Sequence, residues 1–163
     1  SSALQWEYKV SVSVRNAIIS GFYDSIGIYQ KYTDVQRKIA DEWLALLHMS
    51  ARADRPFNEL SFGDQRLILI ARAMVKHPPL LILDEPFSGV DPKAVFDVQQ
   101  IIAQLKGMGL GILITDHSVR ETLDIVDRGY IISEGKILCE GSSDYLINDP
   151  KAREVYLGPA FAK

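Results

Sequence analysis

Two adjacent acids, Asp84 and Glu85, close the run Leu80-Leu81-Ile82-Leu83-Asp84-Glu85-Pro86. Four aliphatic residues in a row predict a short strand buried on both faces. Acids at its carboxyl end would stand at the edge of an open parallel sheet, where ligands bind. One carboxylate of such a pair can hold magnesium through water, and the other can orient or deprotonate an attacking water. An isolated run of this kind serves equally well as a core strand ending in a polar turn. Further polar residues fall at spaced positions on either side. Ser61, Phe62, Gly63 and Asp64 precede it, Asp91 follows closely, and His117 lies further on.

Each has a local explanation as well as a chemical one. Ser61 can cap a helix, with Asp64 three residues on in a capping-box pattern. The same helix start, with Gly63 allowing close approach, offers free N–H groups to a phosphate. Asp91 before Pro92 is an N-cap followed by a first-turn proline. His117 sits between a strand end and a helix start, a position that suits a structural residue or a water-orienting one.

These stretches, in this order, resemble the ATP-binding cassette (ABC) ATPases. Leu60–Arg66 is similar to the signature motif and Leu80–Glu85 to the Walker B strand. Phe87–Pro92 is similar to the D-loop and Ile114–His117 to the histidine switch. The resemblance implies ATP and Mg2+ as ligands, with Asp84 on the metal and Glu85 as general base. It implies that His117 contacts the γ-phosphate and that Ser61, Phe62, Gly63 and Asp64 clamp nucleotide held by an opposite subunit. Asp91 would communicate across the dimer. The partners implied are a second nucleotide-binding domain and a membrane-embedded transporter subunit, at the inner face of the bacterial cytoplasmic membrane. Two positions depart from the usual signature. Phe62 stands where glycine is commonest, and Asp64, where glutamine or glutamate is usual, should repel phosphate.

No Gly-x-x-x-x-Gly-Lys-Ser/Thr loop occurs in the 163 residues, so the backbone cradle and lysine for phosphates are not among them. The chain therefore resembles the rear part of a cassette. The expected fold is α/β and P-loop NTPase-like: a helical and signature subdomain over residues 1–77, then the rear part of a RecA-like, mainly parallel sheet over 78–163. Residues 1 to about 85 resemble a molybdate-related branch of the family, carried by Ser20–Gln30 and Val75–Pro78. Residues from about 84 resemble a lipopolysaccharide-export branch, carried by Pro86–Pro92, Gly109–Glu121 and Val155–Gly158. A recombined or engineered chimera truncated before its phosphate loop accounts for both; a natural cassette with mixed features is the alternative.

The elements that must position these residues follow from periodicity. Ser13–Phe22 predicts a helix with Val14, Ile18 and Phe22 on one face. The aromatic stretch Phe22, Tyr23, Tyr29 and Tyr32 is either internal packing or a docking surface. Thr33–Met49 predicts a second helix, capped by Thr33, with an apolar stripe of Val35, Ile39, Trp43 and Leu46. Leu67–Val75 is apolar nearly all round and should be buried, ending at Pro78-Pro79. A helix after Asp91 carries Val95, Val98, Ile102 and Leu105, and Leu110–Thr115 predicts another buried strand. Ser118-Val119-Arg120-Glu121 reads as a capping box opening a helix through about Val126. Glu134-Gly135 predicts a hairpin turn. Short helices at Ser142–Ile147 and Pro150–Leu157, the second capped by Asp149, precede a loosely held tail.

Composition narrows the function classes. A net charge of −3 argues against a nucleic-acid footprint. The single cysteine, Cys139, excludes an internal disulfide and reads as a core residue. A transporter ATPase acting as a dimer is one function; a folded half-cassette that binds nucleotide poorly is another. A soluble tandem ATPase of translation or DNA repair is a third, without a second cassette or basic stretch to support it.

Overall fold

The structure is a computed structural model that describes residues 12–25 and 31–157. Tyr29, the expected irregular start and the expected tail lie outside them. The chain forms two compact units, Ser1–Thr115 and Asp116–Lys163.

In the first unit, α1 (Val14–Ile19) starts at Ser13, whose hydroxyl accepts from the Asn16 N–H at 3.3 Å. It continues as a 3-10 turn over Ser20–Tyr23. Val14, Ala17, Ile18 and Ile19 are fully buried. Helix α2 (Asp34–Leu46) carries a complete capping box: the Gln36 N–H donates to Thr33 Oγ1 at 3.2 Å, and the Thr33 N–H donates to Gln36 Oε1 at 2.9 Å. Its apolar stripe is not the expected one. Ala40 and Leu44 are buried, with Leu47 just beyond, whereas Val35 is 67% exposed and Leu46 45% exposed. Trp43, expected in the core, is only half-buried. The stripe is rotated about one residue from the expected one, because packing of α2 beneath α1 selects its face.

Helix α3 (Phe62–Met74) is buried through Leu67, Ile68, Ile70, Ala71 and Met74, as its composition predicts. Its later half holds the end of the first segment. Arg72 donates from Nε to Ser20 Oγ and from Nη2 to the Ser25 carbonyl, both at 3.1 Å. Lys76, just past α3, pairs with Asp24 at 2.6 Å. Two strands, β1 (Leu80–Asp84) and β2 (Gly111–Thr115), pair in parallel from Leu80↔Gly111 to Asp84↔Thr115. Helix α4 (Pro92–Gly107) connects them and buries Val98, Ile101, Ile102 and Leu105.

Neither strand is buried on both faces. Leu81 and Leu83 are buried, but Leu80 (50%), Ile82 (62%) and Leu113 (51%) are exposed. An apolar run shows that a strand is aliphatic on both faces, not that both faces have a neighbour.

In the second unit, α5 (Val119–Leu123) ends before the expected Val126. Ser118 makes no side-chain cap; instead Asp116 Oδ1 accepts the Ser118 N–H at 2.7 Å. An acid two residues ahead thus takes the place of the expected capping box. The antiparallel hairpin β3 (Gly129–Ser133) and β4 (Lys136–Gly141) turns at Glu134 and Gly135, with φ of 51° and 73°. Positive φ at both central residues is the hairpin-favouring turn geometry. Helix α6 (Ser143–Asn148) is capped by Ser142, and a turn over Pro150–Ala152, capped by Asp149, runs on into a π-helical turn over Arg153–Leu157. Leu123, Ile131, Leu146, Ile147 and Ala152 form the core of this unit, and Cys139 packs against it. Burial pushes the Cys139 thiol pKa up, and the nearby Asp149 charge adds to the shift.

Candidate functional site

The register of β1 against β2 builds the acidic end. Asp84 lies opposite Thr115, and the Thr115 hydroxyl donates to Asp84 Oδ1 at 2.7 Å. Hydrogen bonding continues one residue past the strand, where the Glu85 N–H donates to the Thr115 carbonyl at 2.6 Å. Both acids are exposed. Glu85 adopts φ of 48°, a left-handed conformation that costs a non-glycine residue about 1–2 kcal/mol. The turn that follows is anchored by buried Pro86 and by Phe87, 4% exposed. The Ser88 N–H donates back to the Glu85 carbonyl at 3.3 Å. A rigid strand end and an anchored turn therefore carry two exposed acids on consecutive residues.

Asp91 caps α4 by accepting from the Lys93 and Ala94 N–H groups at 3.1 Å each. The first turn of α4 lies against the start of α3. A Cβ on Gly63 would stand 2.2 Å from Ala94 Cβ and 3.5 Å from Val90 Cγ1. The Leu60–Arg66 stretch and the Phe87–Pro92 stretch are thus brought into contact at Gly63. Ser61 caps α3, its hydroxyl accepting from the Asp64 N–H at 3.2 Å. Phe62 is 63% exposed and does not fill the first turn from within. The carboxylate of Asp64 pairs with Arg52 at 2.6 Å. In the second unit, the His117 side chain is 65% exposed, with Nδ1 at 3.7 Å from Oδ1 of the buried Asp116 carboxylate.

Thr115 and Arg52 were not singled out by sequence reasoning. The equal lengths of Leu80–Asp84 and Gly111–Thr115, aligned in parallel, would have placed Thr115 beside Asp84. No sequence signal pairs Arg52 with Asp64, because the contact depends on how the 50–60 loop folds back.

The donor set suits a hard cation held largely by water. Asp84 has one oxygen engaged by Thr115 and is open to solvent. Among the described residues, no three of His, Cys, Asp or Glu converge to form a closed metal cage. Magnesium commonly takes one or two carboxylates and keeps several waters, so Asp84 fits it.

A family model for ABC transporters matches residues 5–88, just over half of the chain. This chain belongs to the ABC transporter family. The lipopolysaccharide export system ATP-binding protein LptB of Acidithiobacillus ferridurans is 46% identical over 121 residues, 74% of this chain and 50% of that protein. The ABC transporter ATP-binding protein ModF of Escherichia coli K12 is 58% identical over 93 residues, 56% of this chain and 19% of that protein. An ATP-binding cassette of an ABC transporter, solved in its ADP conformation, superimposes with a TM-score of 0.81 at 27% identity. The match covers 97% of this chain and 65% of that one. The fold is therefore that of an ABC cassette, and the chain spans about half the length of the LptB relative. Among the described residues, no helix is long and apolar enough to cross a membrane.

Proposed function

We propose that this chain is the part of a transporter ATPase that carries the hydrolytic acids and the signature helix, and that it drives transport by nucleotide-dependent closure of two cassettes. The observation that carries this reading is the Asp84–Glu85 pair: two accessible carboxylates at a strand end, one tied to Thr115 and the other in a strained backbone conformation. Strain of this kind clusters at functional sites, where the surrounding structure enforces it.

Asp84 is the residue that would hold magnesium through water. Bound magnesium would neutralise charge on the transferred phosphoryl group. Glu85 acts as general base, accepting the proton of the attacking water. His117, two residues beyond β2 in the chain, contacts the γ-phosphate and orients that water. Ser61, Phe62, Gly63 and Asp64 face nucleotide held by an opposite cassette, and Asp91 links the two sites across the dimer. The wider assembly is a second nucleotide-binding domain and a membrane subunit, placing the chain at the cytoplasmic face of the membrane. The division at residue 77 separates the docking and signature part from the hydrolytic part.

A second reading is favoured by the lack of a lysine loop in these 163 residues. On it, the chain is a folded half-cassette that cannot hydrolyse ATP alone, with its two parts drawn from the molybdate-related and lipopolysaccharide-export branches. Calorimetry of Mg-ATP with the purified chain, beside Asp84→Ala, separates the two readings. Binding that the substitution abolishes supports a nucleotide site within this chain. Absence of binding at millimolar ATP, from folded protein, supports the half-cassette.

A further inference from the structure

Asp64 places a negative charge in the first turn of the helix that the signature reading assigns to phosphate. An acceptor side chain three residues after a serine N-cap can reach back to the N-cap N–H. That would occupy one donor of the helix start, and the charge would repel an anion. The structure turns the carboxylate elsewhere. Arg52, at the end of the 3-10 turn Ser50–Arg52, holds Asp64 Oδ2 at 2.6 Å. Its own turn is fixed by backbone bonds from the Arg52 N–H to Met49 and from the Arg55 N–H to the Arg52 carbonyl, at 2.8 and 3.0 Å. Met49 and Ala53 beside it are buried, so the guanidinium is presented from an anchored segment. Ser61 meanwhile uses its hydroxyl on the Asp64 N–H.

We propose that Arg52 is a positioning residue for nucleotide: it neutralises Asp64 and keeps its carboxylate away from the α3 start, so that this unusual signature still accepts a polyphosphate. The inference rests on the signature reading above and adds to it a residue outside the motif. Arg52 itself touches no substrate.

The test titrates sodium tripolyphosphate into the full chain and follows the backbone amide resonances of Phe62 and Gly63. In the native protein these amides shift and saturate. In Arg52→Ala the apparent affinity falls about fivefold, the size expected when an uncompensated charge acts at a helix start. In Arg52→Ala/Asp64→Asn the affinity recovers above that of Arg52→Ala, because the charge to be neutralised is gone. Arg52→Lys keeps most of the affinity. The Arg52 side chain is 48% exposed, and an unchanged spectrum for the core confirms that each variant folds. A double variant no better than Arg52→Ala would show that the ion pair merely holds the loop, and would overturn the proposal. Native binding that Arg52→Ala leaves unaltered would overturn it too, with the signature reading intact. Native amides that do not respond at all would remove the signature reading and the proposal together.

Discussion

Glu85 holds a backbone conformation that favours glycine, φ of 48°, at the position proposed for the general base. Its N–H is bound to Thr115 and its carbonyl to the Ser88 N–H, so the strain is maintained by its neighbours. Glu85→Gly should therefore stabilise the chain by about 1 kcal/mol while removing the carboxylate. Urea denaturation measures this, and an unchanged or lowered midpoint would contradict it. Asp84 and Glu85 were legible as acids at a strand end because their types and order suffice. The strain was not legible, since nothing in the sequence distinguishes a left-handed glutamate from an extended one. Cys139 packs against the core of the second unit. Burial raises its pKa, so below its unfolded pKa the thiol stays protonated in both states and costs nothing. As pH rises between the unfolded and the raised folded value, the unfolded chain ionises first and stability falls. Alkylation by iodoacetamide near pH 8 should be slower in the native chain than in urea; equal rates would contradict the shift.

At the scale of elements, the contact of α3 with α4 decides how Gly63 is read. Glycine inside a helix is ordinarily worse than alanine by about 1 kcal/mol. Here an added Cβ would meet Ala94 Cβ at 2.2 Å, and overpacking of that kind destabilises by about 1–3 kcal/mol. Sterics win, so Gly63→Ala should lower the thermal midpoint without any nucleotide present. A raised midpoint would show that the two helix starts are not in contact. Element ends were well anticipated wherever the signal is local: Thr33 as a cap, Asp91 before Pro92, and Glu134-Gly135 each fix their own geometry. Faces were less legible. The stripe on α2 fell on Ala40 and Leu44 rather than on Val35 and Leu46, because a helix with scattered apolar residues takes the face its neighbours select. The capping box expected at Ser118 did not form: its hydroxyl makes no cap, and Asp116 accepts its N–H.

At the scale of the whole molecule, family and cassette fold were readable from four ordered motifs, whereas the open side of the sheet was not. Leu80, Ile82 and Leu113 share one exposed aliphatic face. Such a patch in a native protein should bind anilinonaphthalene sulfonate. Ile82→Lys should weaken the fluorescence with little loss of stability, whereas Leu83→Ala, in the buried row, should cost about 2–5 kcal/mol. Equal stability losses would mean that the two faces are equally packed. Asp84 and Glu85 are proposed to support ATP hydrolysis once a lysine loop completes the site. This role is tested most directly by phosphate release from this chain assembled with a cassette segment that carries such a loop, comparing native chain with Glu85→Gln. The variant should retain nucleotide binding and lose turnover by about a hundredfold or more, as expected for removal of a general base. Turnover equal to that of the native assembly would contradict it.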